Sequence, residues 1–367
     1  MCTLFDGKHS VLDIQEAYTR KFGDLLFSSR MEEVLEQLDN CFFLDNEHFR
    51  NEKERIEEAF RSSPVRRAVH AGGAYEADKE ALVRQLDGYF TGPEGPGKSE
   101  GKKASDRLSG LMAPHIDLRR GGDCFAWAYA EVARETSART FVILGISHME
   151  TRSRFVLTRK SFETPLGTIE TDGEFVDTLA EALGDGFYQD EFVHRKEHSI
   201  EFQVLFLQYL FPERKDIRIV PILCSSLHDI MESGADPLKD WEINVFLGAL
   251  KRAVKDRGDD VCCVAGVDLS HIGGRFGQFL RLSPSLLQEV ERDDRRMLDP
   301  VLRRDPAAFF KLIREEKNAR NVCGVPAIYA LLSVTEPKSS RLLKYGQAEE
   351  ENTQSVVSFA GVGFYGE

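Results

Sequence analysis

Phe141-Val142-Ile143-Leu144-Gly145-Ile146-Ser147-His148 is the run whose reading decides the fold. It is too short for an ordinary helix and apolar without alternation, so it reads as a strand buried on both faces, the kind found in a parallel sheet covered by helices. It ends on a histidine. Two further runs do the same: Gly110-Leu111-Met112-Ala113-Pro114-His115 and Cys262-Cys263-Val264-Ala265-Gly266-Val267-Asp268-Leu269-Ser270-His271. Ligands of open α/β sheets bind outside the carboxyl ends of the strands. Three strand-end histidines out of only nine in the chain are therefore the layout of a metal or acid-base site.

Outward from these runs the patterns alternate. Helices are expected at about 121–135, 174–183, 199–210, 241–254, 284–298, 305–315 and 324–333. Strands are expected at 140–146, 154–158, 217–224, 261–267, 339–345 and 354–362. The alternation predicts an α/β class with a mostly parallel central sheet flanked by helices, over residues 61–367. Residues 91–109 are rich in Gly, Pro, Ser and Lys and read as a mobile loop inside that domain. Residues 1–60 form a separate unit: a helix from Ser10, a second carrying Met31, Val34, Leu35 and Leu38, and a hairpin over residues 41–49. Two helices and a wing predict a small winged-helix-like α+β domain.

Charge narrows the partners. The chain of 367 residues carries a net charge of −13, and residues 1–60 hold seven Lys and Arg against fourteen Asp and Glu. An acidic wing is a poor reader of nucleic acid, so a peptide or protein partner is expected there. No apolar stretch is long enough to span a membrane, and the first residues lack the layout of a signal peptide. Seven cysteines without CxxC spacing point to neither disulfides nor a zinc ribbon. A cytoplasmic protein is the expectation.

Cys323 stands apart from the other cysteines. Asn321-Val322-Cys323-Gly324-Val325-Pro326 puts it just ahead of an apolar helix, where the helix dipole would favour a thiolate and make a better metal ligand; a packing cysteine is the alternative. Glu197-His198-Ser199-Ile200-Glu201 is open in the same way. On a helix, Glu197 and Glu201 would share a face and His198 would pair with Glu201, giving an active-site role, or the acids would simply complement the helix dipole. Asp268, three residues before His271, could orient it. His9, His48, His70, His194 and His228 lie in turns or beside charges and are expected at the surface.

The ordered set of these motifs resembles Memo-like proteins, component B of the AmmeMemoRadiSam system. The resemblance runs from Val65-Arg66-Arg67-Ala68-Val69-His70-Ala71-Gly72-Gly73-Ala74-Tyr75 through Ala113-Pro114-His115, Gly145-Ile146-Ser147-His148, Thr164-Pro165-Leu166-Gly167 with Asp172, the Glu197–Glu201 stretch, Asp268-Leu269-Ser270-His271 and Cys323-Gly324 to the closing strands. It implies a fold similar to class III extradiol dioxygenases. It also implies a metal pocket in which a cysteine stands where those enzymes have a carboxylate: His115, His148 and Cys323 as ligands, and His271 as the acid-base histidine. Asp268, Glu197, His198 and Glu201 complete the catalytic candidates. A thiolate in the set shifts preference towards Fe(II), Cu or Zn.

The chain departs from the family where it reads Pro114-His115-Ile116-Asp117-Leu118, His148-Met149 and Ser270-His271-Ile272-Gly273, so the pocket walls differ, with Asp117, Arg119 and Arg120 altering their polarity. The Asp6-Gly7-Lys8-His9-Ser10-Val11 turn and Leu38 to Phe43 look like a PqqD-type peptide-recognition fold, which implies capture of a peptide or a radical-SAM protein. Two functions follow from the sequence: a redox or oxygen-linked metalloenzyme working with that partner system on a small molecule, or a non-catalytic metal- or peptide-binding adaptor.

Overall fold

The computed structural model describes residues 2–98 and 107–366. The chain divides into two compact units, Met1–Ser62 and Ser63–Glu367. The first contains α1 (Val11–Phe22), α2 (Ser28–Asn40) and α3 (Glu47–Ser62). Ser10 and Asp13 form a capping box at the start of α1, and Gly23 closes it in the left-handed conformation. The expected wing is absent, which corrects the winged-helix-like α+β outline and leaves the PqqD-type likeness without a strand among the described residues of this unit. The reason is local. Phe42 turns the chain at a positive φ of 60°, and Asn46 Oδ1 accepts from the Phe49 N–H at 3.0 Å, capping a helix where a second strand was expected. Phe49, Ile56 and Phe60 then recur at helical spacing.

The second unit holds the strands: β1 (Val65–Arg66), β2 (Arg107–Ala113), β3 (Thr140–Ile146), β4 (Phe155–Leu157), β5 (Ser161–Thr164), β6 (Gly167–Thr171), β7 (Arg218–Cys224), β8 (Val261–Gly266), β9 (His271–Gly273), β10 (Ser339–Glu350) and β11 (Ser355–Gly366). Its helices are α4 (Lys79–Thr91), α5 (Leu118–Glu135), α6 (Gly173–Leu183), α7 (Glu201–Leu210), α8 (His228–Ser233), α9 (Trp241–Arg257), α10 (Pro284–Leu302), α11 (Pro306–Glu315) and α12 (Val325–Val334). The sheet order is β1-β5-β6-β7-β3-β8-β2-β11-β10, with β4 on β7 and β9 on β11. Its centre, β6 to β2, is parallel; towards the margins β5–β6, β2–β11 and the long β10–β11 hairpin are antiparallel, while the edge strand β1 pairs in parallel with β5.

Period-2 geometry explains why the central strands are apolar throughout. Val142 and Leu144 of β3 face a core built with α6, α9 and α12, whereas Phe141 and Ile143 face one built with α4, α5 and α7. Helices thus cover both faces, the α/β class expected. Within the expected loop over 91–109, residue 91 ends α4 and residues 107–109 open β2, while 99–106 lie outside the described residues. No helix among the described residues is long and apolar enough to cross a membrane.

Register then places the site. Ala113 of β2 lies opposite Gly266 of β8, and Leu144 of β3 opposite Ala265. The carboxyl ends of β2, β8 and β3 therefore sit side by side, each running into the segment that carries its histidine.

Candidate metal centre

His115 is fixed from three sides. Its Nδ1 donates to the Gly266 carbonyl at 2.9 Å, its backbone N–H donates to Asp268 Oδ1 at 3.0 Å, and the Ile116 N–H donates to the same oxygen at 3.2 Å. A carbonyl can only accept, so Nδ1 carries the proton and Nε2 keeps its lone pair. Burial, helped by His148, pushes the His115 pKa down to about 3, which keeps the ring neutral and able to bind a cation.

His148 is oriented by Glu197. Its Nδ1 lies 3.1 Å from each Glu197 oxygen, and the same carboxylate accepts from the backbone N–H groups of His148 (3.1 Å), His198 (2.8 Å) and Ser199 (3.1 Å). Burial works against a charge on Glu197, but the His148 hydrogen bond and the neighbouring imidazoles outweigh it and hold the carboxyl well below the usual range. Burial would likewise lower His148, and Glu197 raises it instead.

His198 completes a cluster. Its ring stacks on His148 with centroids 4.9 Å apart and meets His115 at 5.2 Å, and one ligand atom from each of His115, His148 and His198 lies within 4.8 Å of the others. Its Nδ1 faces Glu197 at 3.3 Å, and burial, with His115 nearby, pushes its pKa down to about 3. Each imidazole thus has one nitrogen turned to a carbonyl or carboxylate, the outer-shell arrangement that aims the other nitrogen at a metal. The donor set fits a transition metal.

Cys323 stands beside this cluster, its Sγ 3.5 Å from His115 Nε2 and 3.7 Å from the Asp268 carbonyl. Gly324 permits the approach, since a Cβ there would lie 2.8 Å from that carbonyl oxygen. The thiolate expected at a helix start is not favoured: burial first, and the Asp268 carboxylate second, push the thiol up. Asp268 itself is raised to about 6 by burial. Its Oδ1 accepts from the backbone N–H groups of residues 115 and 116 and its Oδ2 lies 3.6 Å from His115 Nε2, so it acts on His271 through its charge, which opposes the lowering of the His271 pKa by burial. His271 is held by other groups: Nδ1 lies 3.1 Å from the Leu269 carbonyl, and its backbone donates to the Arg320 carbonyl at 2.7 Å.

Glu201 lies elsewhere. Residues 197–200 precede α7 and are not helical, so Glu197 and Glu201 do not share a helical face. Glu201 is fully buried against Arg66 and Tyr75 and accepts from the His70 N–H at 3.1 Å. Arg66 in turn donates to the carbonyls of His194 (3.0 Å) and Glu197 (2.6 Å). This is a buried cross-link, and Glu201 is not among the residues that line the histidine cavity. His194, expected at the surface, is buried with Nε2 3.0 Å from the Val156 carbonyl.

Asp117 and Arg120, expected in the pocket walls, do line the cavity, whereas Gln203, Arg275 and Phe276 carried no expectation. Gln203 Nε2 donates to the Pro114 carbonyl at 2.8 Å and accepts at Oε1 from Tyr129, and Ser199 Oγ bridges the backbone of Ile146. The available signal was two polar residues, four apart, in and just before the apolar α7. His115, His148, His198, Asp268 and His271 line one cavity of ≈ 460 Å³, whose walls include Ile116, Arg275 and Phe276.

The model of the Memo-like protein family matches residues 66–363. The chain belongs to this family. A MEMO1 family protein from Aquifex aeolicus is 27% identical over 373 residues, covering 100% of this chain and 90% of the relative. One from Pyrococcus furiosus is 31% identical over 314 residues, covering 81% of this chain and 98% of the relative. One from Thermococcus kodakarensis is 30% identical, covering 82% and 99%. The Memo-like match spans all four cavity histidines and Cys323, so the candidate centre lies within the family's own domain.

Proposed function

We propose that this Memo-like protein is a metal-dependent enzyme of redox or oxygen-linked chemistry, with His115, His148 and Cys323 as ligands and His198 as an adjacent donor. The observation that carries it is the orientation of the imidazoles: Gly266 takes the outer proton of His115, and Glu197 takes that of His148. Imidazole with thiolate would suit Fe(II), with Cu or Zn as alternatives, and such a metal, held by these residues, would supply Lewis acidity and, for Fe or Cu, one-electron chemistry. The chain's own groups do the remainder. Glu197 and Gly266 orient the rings, Asp268 fixes the His115 loop, and His271 holds or delivers a proton within the cavity. The buried free cysteines support a reducing, cytoplasmic setting.

Anaerobic purification and elemental analysis test the reading. Metal should co-purify, be lost in His115→Ala, His148→Ala and Cys323→Ala, and persist in His271→Ala. Stoichiometric metal in Cys323→Ala with loss in His198→Ala would replace the cysteine by His198 as third ligand. Full metal in His115→Ala would sink the centre altogether. Oxygen uptake by the iron-loaded protein against a catechol panel separates enzyme from metal-binding protein.

A second reading, an adaptor for a peptide or radical-SAM protein, is favoured by the first unit. Leu12, Leu25, Phe27 and Phe43 are 76%, 71%, 68% and 77% exposed on a segment of net negative charge, which suits a basic amphipathic partner helix. Fluorescence anisotropy of a labelled peptide of that kind with the full chain checks it; binding unaffected by Leu25→Ser and Phe43→Ser would refute it.

A further inference from the structure

The cavity that ends on the histidines carries a second chemical feature in its walls. Arg120, on α5, and Arg275, in the turn after β9, both line it. Among the described residues their side chains share a single carboxylate: Arg120 Nη2 lies 3.4 Å from Glu350 Oε1, and Arg275 Nη1 lies 3.4 Å from Glu350 Oε2. Both contacts are long beside the roughly 2.7–2.9 Å of a well-made charge-assisted bond. A guanidinium offers five N–H donors in a planar fork, so most of the donors on this pair remain for another acceptor.

The other carboxylates of the cavity do not supply it. Asp117 Oδ1 accepts from the Arg119 N–H at 2.8 Å and caps α5, and Asp268 is buried and bonded to the backbone of residues 115 and 116. Ile116, Phe276 and Val357 form the apolar part of the wall, and ≈ 460 Å³ is within the range of small-molecule sites. Two guanidiniums loosely bridged by one carboxylate, beside apolar surface and above a donor cluster, make a fork for an anionic group.

We infer that this pocket takes a small organic anion, a carboxylate or phosphate ester with an apolar body, whose charged group is bound by Arg120 and Arg275 in place of Glu350. The inference rests on the histidine pocket being the substrate cavity; the anion fork itself needs no metal.

The test uses the full-length protein treated with a chelator, with benzoate, phenyl phosphate and neutral benzamide as probes, followed by ligand-observed NMR titration. At least one anion should bind about ten-fold more tightly than benzamide, and the tighter of the two identifies the anionic group. Arg120→Gln and Arg275→Gln should each weaken that anion about ten-fold and leave benzamide unchanged. Glu350→Gln should tighten it, because the competing carboxylate is gone, whereas a merely structural role for Glu350 would weaken it. Equal binding of benzamide, no binding of either anion, indifference to the arginine variants, or weaker binding in Glu350→Gln would each overturn the inference. Metal analysis of the untreated protein runs in parallel, so that failure of the metal reading with arginine-dependent binding intact is distinguishable from failure of the fork.

Discussion

Replacing Glu197 by glutamine removes one charge and almost no volume from the point where two site histidines are held. The native carboxylate accepts from His148 Nδ1 and from the N–H groups of residues 148, 198 and 199. Hydrogen bonds to a charged acceptor contribute about 1.5–3 kcal/mol against about 0.5–1.5 for neutral ones, so each surviving bond weakens by about 1 kcal/mol. Glutamine also turns an NH2 towards one of these donors, adding an unsatisfied buried group. The expected destabilisation is about 3–5 kcal/mol. Affinity for a divalent probe should fall about 10- to 100-fold, the usual cost of losing an outer-shell partner.

Urea denaturation and competition for Co(II) against a chelating dye measure the two effects. The pH dependence has a definite sign. Glu197 is held below its ordinary 4.5, so its contribution is complete above that value and is lost as pH falls towards the lower native value. The stability gap between wild type and Glu197→Gln should be widest near neutrality and close below pH 4.5. An equal metal affinity in the two proteins, or a gap that does not change with pH, would refute the role assigned to Glu197.

Three further outcomes follow from the same geometry. Glu201→Ala leaves the Arg66 guanidinium buried and uncompensated and should cost about 3–5 kcal/mol in urea denaturation, whereas the double change Arg66→Met with Glu201→Leu should cost much less. His194, pushed by burial from 6.5 to about 4, stabilises the fold fully above pH 6.5 and loses about 3 kcal/mol as pH falls to 4; His194→Gln, which keeps a donor for Val156, should flatten that limb of the stability curve. In Gly145→Ala the new Cβ would lie 2.6 Å from Ser199 Oγ and 2.7 Å from Ile200 Cγ1. Separating β3 from the histidine loop should cost about 1–3 kcal/mol and weaken metal binding, which a melting curve and the dye competition read together.

Much of the second unit was legible because its strands are buried on both faces. Residues 140–146 form β3 with the expected bounds, and α9 to α12 begin within a residue of the expected positions, because Asp240, Ser283 and Asp305 announce three of the starts as side-chain caps. The wing failed for a converse reason. Cys41-Phe42-Phe43-Leu44 has strand-like composition, yet Phe42 and Phe43 are exposed and no neighbouring strand rewards extension. At the site, strand ends announced His115, His148 and His271. The part played by His198 depends on a non-helical approach to α7, and helical spacing drawn through residues 197–201 instead paired Glu197 with Glu201. A buried ion pair between Arg66 and Glu201, 135 residues apart, leaves no local periodicity to read.

The donor set has a consequence for how a cation would enter. His115 and His198 are neutral at physiological pH because burial lowers them to about 3, so they bind without giving up a proton. Cys323 is different, since burial and Asp268 keep its thiol protonated, and ligation there must release that proton. Asp268, raised to about 6 by burial, and His271 line the cavity of the histidines. Ligation by His115 and His198 is therefore weakly dependent on pH near neutrality, while ligation by His148, whose pKa Glu197 raises, and by the thiolate becomes stronger as pH rises. Two neutral imidazoles beside one proton-holding imidazole and one protonated thiol accordingly separate two modes of binding that a set of carboxylates would not.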